Sequence, residues 1–114
     1  MRIEIKTLSV NECWQGKRFK TPAYKVYEKA CLLLLKKESL PPPPYTIYIE
    51  FGFSNKASDI DNPLKPILDI IQKKYFINDK DIYSLRVEKV IVEKGKEYIE
   101  INIHQKTNTT IKFK

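Results

Sequence analysis

Nine consecutive residues, Tyr45 to Phe53, alternate without a break. Tyr45, Ile47, Ile49, Phe51 and Phe53 fall on one side, and Thr46, Tyr48 and Glu50 on the other. Side chains of an extended chain point to opposite faces in turn, so this stretch is a strand with one covered face. It runs into a polar loop, Ser54 to Ser58, and the loop delivers a junction rich in acid. That junction reads Ser58-Asp59-Ile60-Asp61-Asn62-Pro63-Leu64-Lys65-Pro66-Ile67-Leu68-Asp69, with Asn78-Asp79-Lys80-Asp81 shortly after. The chain around it is basic: 21 Lys and Arg stand against 14 Asp and Glu, a formal charge of +7. Such a balance favours polyanionic partners, nucleic acid first. Acid embedded in a basic protein is therefore the feature that asks for a reason.

If the segment entering the junction is extended, Asp59 and Asp61 point to the same side. Two adjacent carboxylates repel unless a cation sits between them. Hard oxygen ligands with room for water suit Mg²⁺ or Mn²⁺. Asp61 or Asn62 can cap the helix that follows, and Pro63 suits its first turn. Pro66 lacks an N–H, so either that turn is irregular or the regular helix begins near Pro66. Lys65 lies four residues after Asp61, on roughly the same face if the turn is helical. The plainer reading is capping by one Asp and a surface pair between Lys65 and Asp69. Capping needs one Asp, however, and this junction has two.

Taken in order, Arg2 to Leu8 alternates as a half-buried first strand. Ser9 to Pro22 has no periodicity and interleaves cations with aromatics: Asn11, Trp14, Lys17, Arg18, Phe19 and Lys20. Cations there meet phosphates and Trp14 stacks on a base, or else Trp14 and Phe19 pin the loop to the core. Ala23 to Lys37 is a helix through Tyr27, Ala30, Cys31, Leu34 and Leu35. The apolar run Leu32 to Leu35 predicts burial on two sides, with a dimer interface as one way to achieve it. Pro41 to Pro44 is a stiff spacer. Pro63 to Lys74 is a second helix burying Leu64, Ile67, Leu68 and Ile71, with Lys65, Asp69 and Gln72 facing away. Ile82 to Glu93 is a strand whose inward face changes phase, which predicts a bulge near Glu88-Lys89. Lys94-Gly95-Lys96 reads as a hairpin turn into a last strand, Glu97 to His104, with Ile99, Ile101 and Ile103 inward. His104 sits near a strand end and is not expected to act as a general base. The order β-α-β-α-β-β predicts one α+β domain over residues 1–105: a mixed four-stranded sheet with two helices mainly on one face. Residues 106–114 form a basic polar tail.

Composition excludes several classes. A chain of 114 residues is the length of one domain. No apolar run approaches the ~20 residues of a membrane helix. The charged start, Met1-Arg2-Ile3-Glu4-Ile5-Lys6, does not suit a signal peptide, so a cytoplasmic location is expected. Cys13 and Cys31 are expected as free thiols and are too few for a structural zinc site.

The acidic junction resembles the signature of the RusA family of Holliday junction resolvases. The matching residues are Asp59-x-Asp61-Asn62-x-x-Lys65, the following Ile67-Leu68-Asp69, and then Ile77-Asn78-Asp79-x-x-Ile82. Ser9-Val10-Asn11-Glu12-Cys13-Trp14 is similar to the family's upstream element. The helix carrying Tyr24 and the strand carrying Val87-Glu88-Lys89 also fit, so the likeness spans roughly Ser9 to His104.

This resemblance implies a small homodimeric, bacterial or phage-encoded, Mg²⁺-dependent endodeoxyribonuclease that resolves four-way DNA junctions in recombination and repair. Mn²⁺ is a possible substitute, and no small-molecule cofactor or membrane partner is implied. Asp59, Asp61 and Asp79 would hold the metal, with Asp81 as the alternative third acid. Lys65 would stand beside them as the fourth catalytic residue. The candidate DNA contacts are Asn11, Trp14, Lys17, Arg18, Lys20, Lys56, Lys73 and Lys74. Helix two carries the chain about 18 Å away at ~1.5 Å per residue. Tyr75 to Asp79 recovers roughly 17 Å at ~3.4 Å per residue. Asp79 thus returns along its own helix or is supplied by a second subunit. Two competing readings are a non-catalytic nucleic-acid-binding module and a broader nuclease acting on flaps or forks.

Overall fold

The computed structural model describes residues 1–16 and 19–107. Lys17, Arg18 and most of the expected basic tail lie outside them. Among the described residues, six strands and two α-helices follow in chain order: β1 (Arg2–Ile3), β2 (Trp14–Gln15), β3 (Phe19–Lys20), α1 (Pro22–Leu34), β4 (Tyr45–Phe53), α2 (Leu64–Tyr75), β5 (Ile82–Ile91) and β6 (Tyr98–Gln105). A four-stranded sheet runs β1-β6-β4-β5, and β2 and β3 form a separate two-stranded ribbon. β4 is parallel to β5 and antiparallel to β6, so the sheet is mixed, as the element order predicts.

The alternation of β4 positions everything else. Ile47, Ile49 and Phe51 are fully buried on one face. Both helices supply that face with side chains at helical spacing: Tyr24, Tyr27 and Cys31 from α1, and Ile67, Ile70 and Ile71 from α2. Ile3, Ile99 and Ile101 complete a single core. Thr21 starts α1, its Oγ1 accepting from the Tyr24 amide at 3.1 Å, with Pro22 just inside. Pro66 falls in the first turn of α2, where an amide has no intrahelical partner to lose, so the helix absorbs it without a kink. A Pro-rich spacer, in which the Pro43–Pro44 bond is cis, joins α1 to β4.

Several expectations change. β1 is only Arg2–Ile3, because the chain then leaves β6 to reach the acidic junction, where the Val10 amide donates to the Asn62 carbonyl at 2.8 Å. Within one chain the run Leu32 to Leu35 is buried on one side: Leu33 is 76% exposed and Leu34 46%, because only one face of α1 meets the sheet. In α2 the core position missed is Ile70, while Leu64 and Leu68 are half-buried. The register irregularity in β5 sits at Tyr83, between the pairs Tyr45–Ile82 and Thr46–Ser84, and not at Glu88-Lys89. β5 is an edge strand, so Val90 and Ile91 tolerate exposure and no second bulge is needed.

Gly95 makes the expected turn with φ +92°, but β5 and β6 are not hairpin partners. They flank β4 on opposite sides, and the segment between them crosses the end of β4, where the Val92 amide donates to the Phe53 carbonyl at 2.7 Å.

The sheet's other face is polar. Tyr48 Oη donates to Glu50 Oε1 at 3.0 Å, and the Arg2 guanidinium lies 3.8 Å above the Tyr98 ring. Gly52 pairs with Tyr98 across β4 and β6. A Cβ at residue 52 would stand 2.5 Å from two carbons of the Tyr98 ring. That ring is held from above by Arg2 and at its hydroxyl by Glu50, so it has little room to yield. Gly52→Ala is therefore expected to destabilise the fold by about 1–3 kcal/mol, the usual cost of overpacking, read as a lower midpoint in urea denaturation.

Candidate active site

The loop after β4 is braced at both ends. Ser54 Oγ donates to Glu97 Oε2 at 2.6 Å, tying the loop's start to the segment before β6. Asn55 closes a turn on itself, its Oδ1 accepting from the Ala57 amide at 2.9 Å and its carbonyl from the Ser58 amide at 3.2 Å. From β5, Lys89 Nζ donates to the carbonyls of Lys56, at 2.8 Å, and Ser58. Asp59 follows directly.

Residues 60–63 form a turn and not the extended segment expected. The Asn62 amide donates to the Asp59 carbonyl at 3.4 Å, and the Leu64 amide to the Asp61 carbonyl at 3.1 Å. Neither Asp61 nor Asn62 caps α2. The cap residue is Pro63, in a helical conformation with no side-chain cap bond. A turn leading straight into the helix leaves no β-region residue there to offer its side chain to the first amides. Both carboxylates thus stay exposed and are not taken up by the helix terminus.

The upstream element docks on this turn. Ser9 Oγ accepts from the Asn11 amide at 3.2 Å and Glu12 Oε1 accepts from the Ser9 amide at 3.2 Å, a capping box around a short 3-10 turn at Val10–Glu12. The Val10–Asn62 bond then joins it to the acidic turn. Ser9, Glu12, Ser54, Ser58, Asp59 and Asn62 line part of a cleft of about 210 Å³ between the two.

Lys65 Nζ pairs with Asp69 Oδ1 at 3.0 Å, one turn along α2. The hydrogen bond that Lys65 donates to Asp69 raises the lysine pKa above its ordinary value, aided by the Asp69 charge and then by that of Asp79. Lys65 is thus a cation held at Asp69, and it feels the Asp79 charge of the same chain. Asp79 to Asp81 form a 3-10 turn capped by Asn78, whose Oδ1 accepts from the Lys80 amide at 3.1 Å. Asp79 is exposed and Asp81 half-buried. Among the described residues of one chain, no three His, Cys, Asp or Glu side chains stand close enough together to hold a metal ion.

The candidate DNA contacts divide. Asn11 and Lys56 are exposed. Trp14 is both pinned and open: it packs edge-on against Tyr24, with ring centroids 5.7 Å apart, yet remains 40% exposed. Phe19 is not pinned, being 73% exposed. Lys20 bonds both oxygens of Glu28 at 3.1 and 3.0 Å, and Lys73 approaches Glu28 at 3.5 Å. Lys74 Nζ donates to the Leu32 carbonyl at 2.8 Å and so links the two helices. Lys17 and Arg18 lie outside the described residues. Sequence reasoning missed Lys89, Glu97, Ser54 and the Asn78 cap. Of these Lys89 and Asn78 had a signal, in the Val87-Glu88-Lys89 and Ile77-Asn78-Asp79 matches.

A family model described as Endodeoxyribonuclease RusA matches residues 9–104, which takes in the capped turn, the aromatic ribbon and all the candidate acids. No curated protein matches the chain.

The Ser54 hydroxyl holds the Glu97 carboxyl below the ordinary glutamate value, with backbone amides assisting. A depressed carboxylate contributes above its unfolded pKa and loses that contribution as pH falls through its folded pKa. The Ser54–Glu97 tie should therefore persist through neutral pH and open only at acid pH. An NMR titration of the Glu97 side-chain carboxyl should give a midpoint below that of a free glutamate. Ser54→Ala should move the midpoint upward.

Proposed function

The chain belongs to the RusA endodeoxyribonuclease family, and from that premise we propose that it is a Mg²⁺-dependent nuclease resolving four-way DNA junctions by paired symmetric nicks. The observation that carries this reading is the braced acidic turn. Asp59 and Asp61 are exposed on a fixed scaffold, unclaimed by the helix they precede, with a cationic lysine one helical turn on. A surface pair or a helix cap would have consumed them otherwise.

The donor set fits a hard divalent cation in its chemistry, since all the candidate ligands are carboxylate oxygens. Asp59, Asp61 and Asp79 would hold Mg²⁺, or Mn²⁺ in its place, with Asp81 the alternative to Asp79. One described chain does not gather three acids, so the site closes only on binding, by movement within the chain or by a second copy's contribution. The chemistry supplied by an ion held there would be Lewis-acid polarisation of the scissile phosphate and a more acidic nucleophilic water. The chain's own part is electrostatic. Asp69 holds the Lys65 ammonium in place, and that ammonium can turn from Asp69 to the phosphoryl oxygens as their charge grows. Exposed Asn11, Trp14 and Lys56 would make the first DNA contacts, while Lys20 and Lys73 must loosen from Glu28 to join them.

Two nicks in opposed strands call for two sites, and a two-fold homodimer sets them in the symmetry of a four-way junction. The reaction belongs to recombination and repair in a bacterial or phage-infected cytoplasm.

On a labelled mobile junction, the protein should produce paired nicks with Mg²⁺ and none in chelator. Asp61→Asn should abolish cutting while retaining junction binding, and Lys65→Ala should slow it on the order of 10²–10³-fold, as loss of one preorganised donor does. Wild-type cutting by the Asp61 variant would sink the catalytic assignment. Equal cutting of flaps and junctions would replace resolution with a broader branched-DNA specificity.

A further inference from the structure

Lys89 stands where an apolar side chain is expected. Its register partner on β4 is Phe51, a fully buried residue of the helix-covered face. Side chains paired across neighbouring strands share a face, so the Lys89 stem starts on the core side of the sheet. The ammonium passes 5.6 Å from the centre of the Phe53 ring and emerges at the edge of the sheet. There it meets two backbone carbonyls, those of Lys56 and Ser58. An ammonium that is partly removed from water needs acceptors to offset its lost hydration, and these two supply them. The arrangement is reciprocal: the carbonyls satisfy the lysine, and the lysine fixes the loop.

The position of that loop matters because of what comes next. The Ser58 carbonyl belongs to the peptide unit that leads into Asp59. Ser54 is tied separately by Glu97, and Asn62 by Val10. Of the three ties, only the one from Lys89 acts at the residue adjoining the first carboxylate. It is also the only one that runs to β5, the strand introduced by Asp79 and Asp81.

We propose that Lys89 is a positioning residue that holds the Asp59 carboxylate in place for divalent-cation binding by clamping the Lys56 and Ser58 carbonyls. This rests on the reading of Asp59 as a metal ligand. Lys89 itself touches neither metal nor phosphate in this scheme. Its loss should loosen metal affinity and leave the chemical step nearly intact, because outer partners that orient ligands typically account for 10–100-fold in affinity.

The test compares wild type with Lys89→Met, which keeps the stem against Phe53 and removes the clamp, and with Lys89→Arg, whose guanidinium can again donate to both carbonyls. Mn²⁺ binding is measured by electron paramagnetic resonance without DNA, and Mg²⁺ dependence by cutting of the mobile junction. Lys89→Met should weaken Mn²⁺ binding and raise the half-saturating Mg²⁺ by about 10–100-fold, with the saturated rate within a few-fold of wild type and Lys89→Arg restoring most of the affinity. Amide exchange at Ser58 and Asp59 should quicken in the methionine variant. Unchanged Mn²⁺ binding, or a lowered saturated rate at unchanged metal affinity, overturns the proposal. A wild-type protein that neither binds Mn²⁺ nor cuts overturns the nuclease reading itself, and is recognised because the parent fails. Should Lys89→Met not fold, Lys89→Leu, which keeps an apolar side chain against Phe53 and carries no donor, is judged by the same criteria.

Discussion

Backbone groups along β4 find partners on both sides, in β5 on one flank and β6 on the other. That leaves its side chains only two directions. One direction is apolar and must be covered, and both helices lie there. The other carries Thr46, Tyr48 and Glu50 and is finished by polar contacts to Arg2, Tyr98 and neighbouring carboxylates. A buried pair of ladders is rigid, so whatever hangs from the end of β4 inherits a fixed origin. The loop from Ser54 onward hangs there, and the acidic turn hangs from the loop.

A pair of carboxylates meant for a cation has to be held without being neutralised. Here the holding is done through main-chain atoms. Lys89 grips carbonyls, Val10 grips the Asn62 carbonyl, and Leu64 closes on the Asp61 carbonyl. Both acids stay exposed, although Asp59 Oδ2 accepts from the Asn62 side-chain amide at 3.5 Å. Lys65 shows the complementary arrangement: its charge is kept in place by Asp69, a partner that can release it because both side chains are solvent-accessible.

What could be seen in the residues beforehand follows from where the signal is local. Tyr45 to Phe53 was legible because alternation encodes a half-covered strand directly. Helix α2 was legible through its spacing, although Ile70 lay one step off the stripe expected. Lys94-Gly95-Lys96 encodes a turn but not which strands it joins, because the same Gly geometry serves strands that pair and strands that part. Asp61 and Asn62 are good capping residues by type, yet the chain enters α2 already helical at Pro63, which no propensity reveals. The acids of the junction were identifiable by composition against a basic background. Lys89 was not, since its importance depends on a loop more than thirty positions earlier in the chain.

The strand order β1-β6-β4-β5 has a consequence for synthesis on the ribosome. Elongation from the first residue makes β4 and α2 well before either neighbour of β4 exists. Until Ile82 to Ile91 and then Tyr98 to Gln105 leave the exit tunnel, both margins of β4 are bare, beside a surface rich in isoleucine and phenylalanine. Unpaired margins of this kind are sticky. The nascent polypeptide therefore passes through its most vulnerable stage late, and the last strand to emerge ends it.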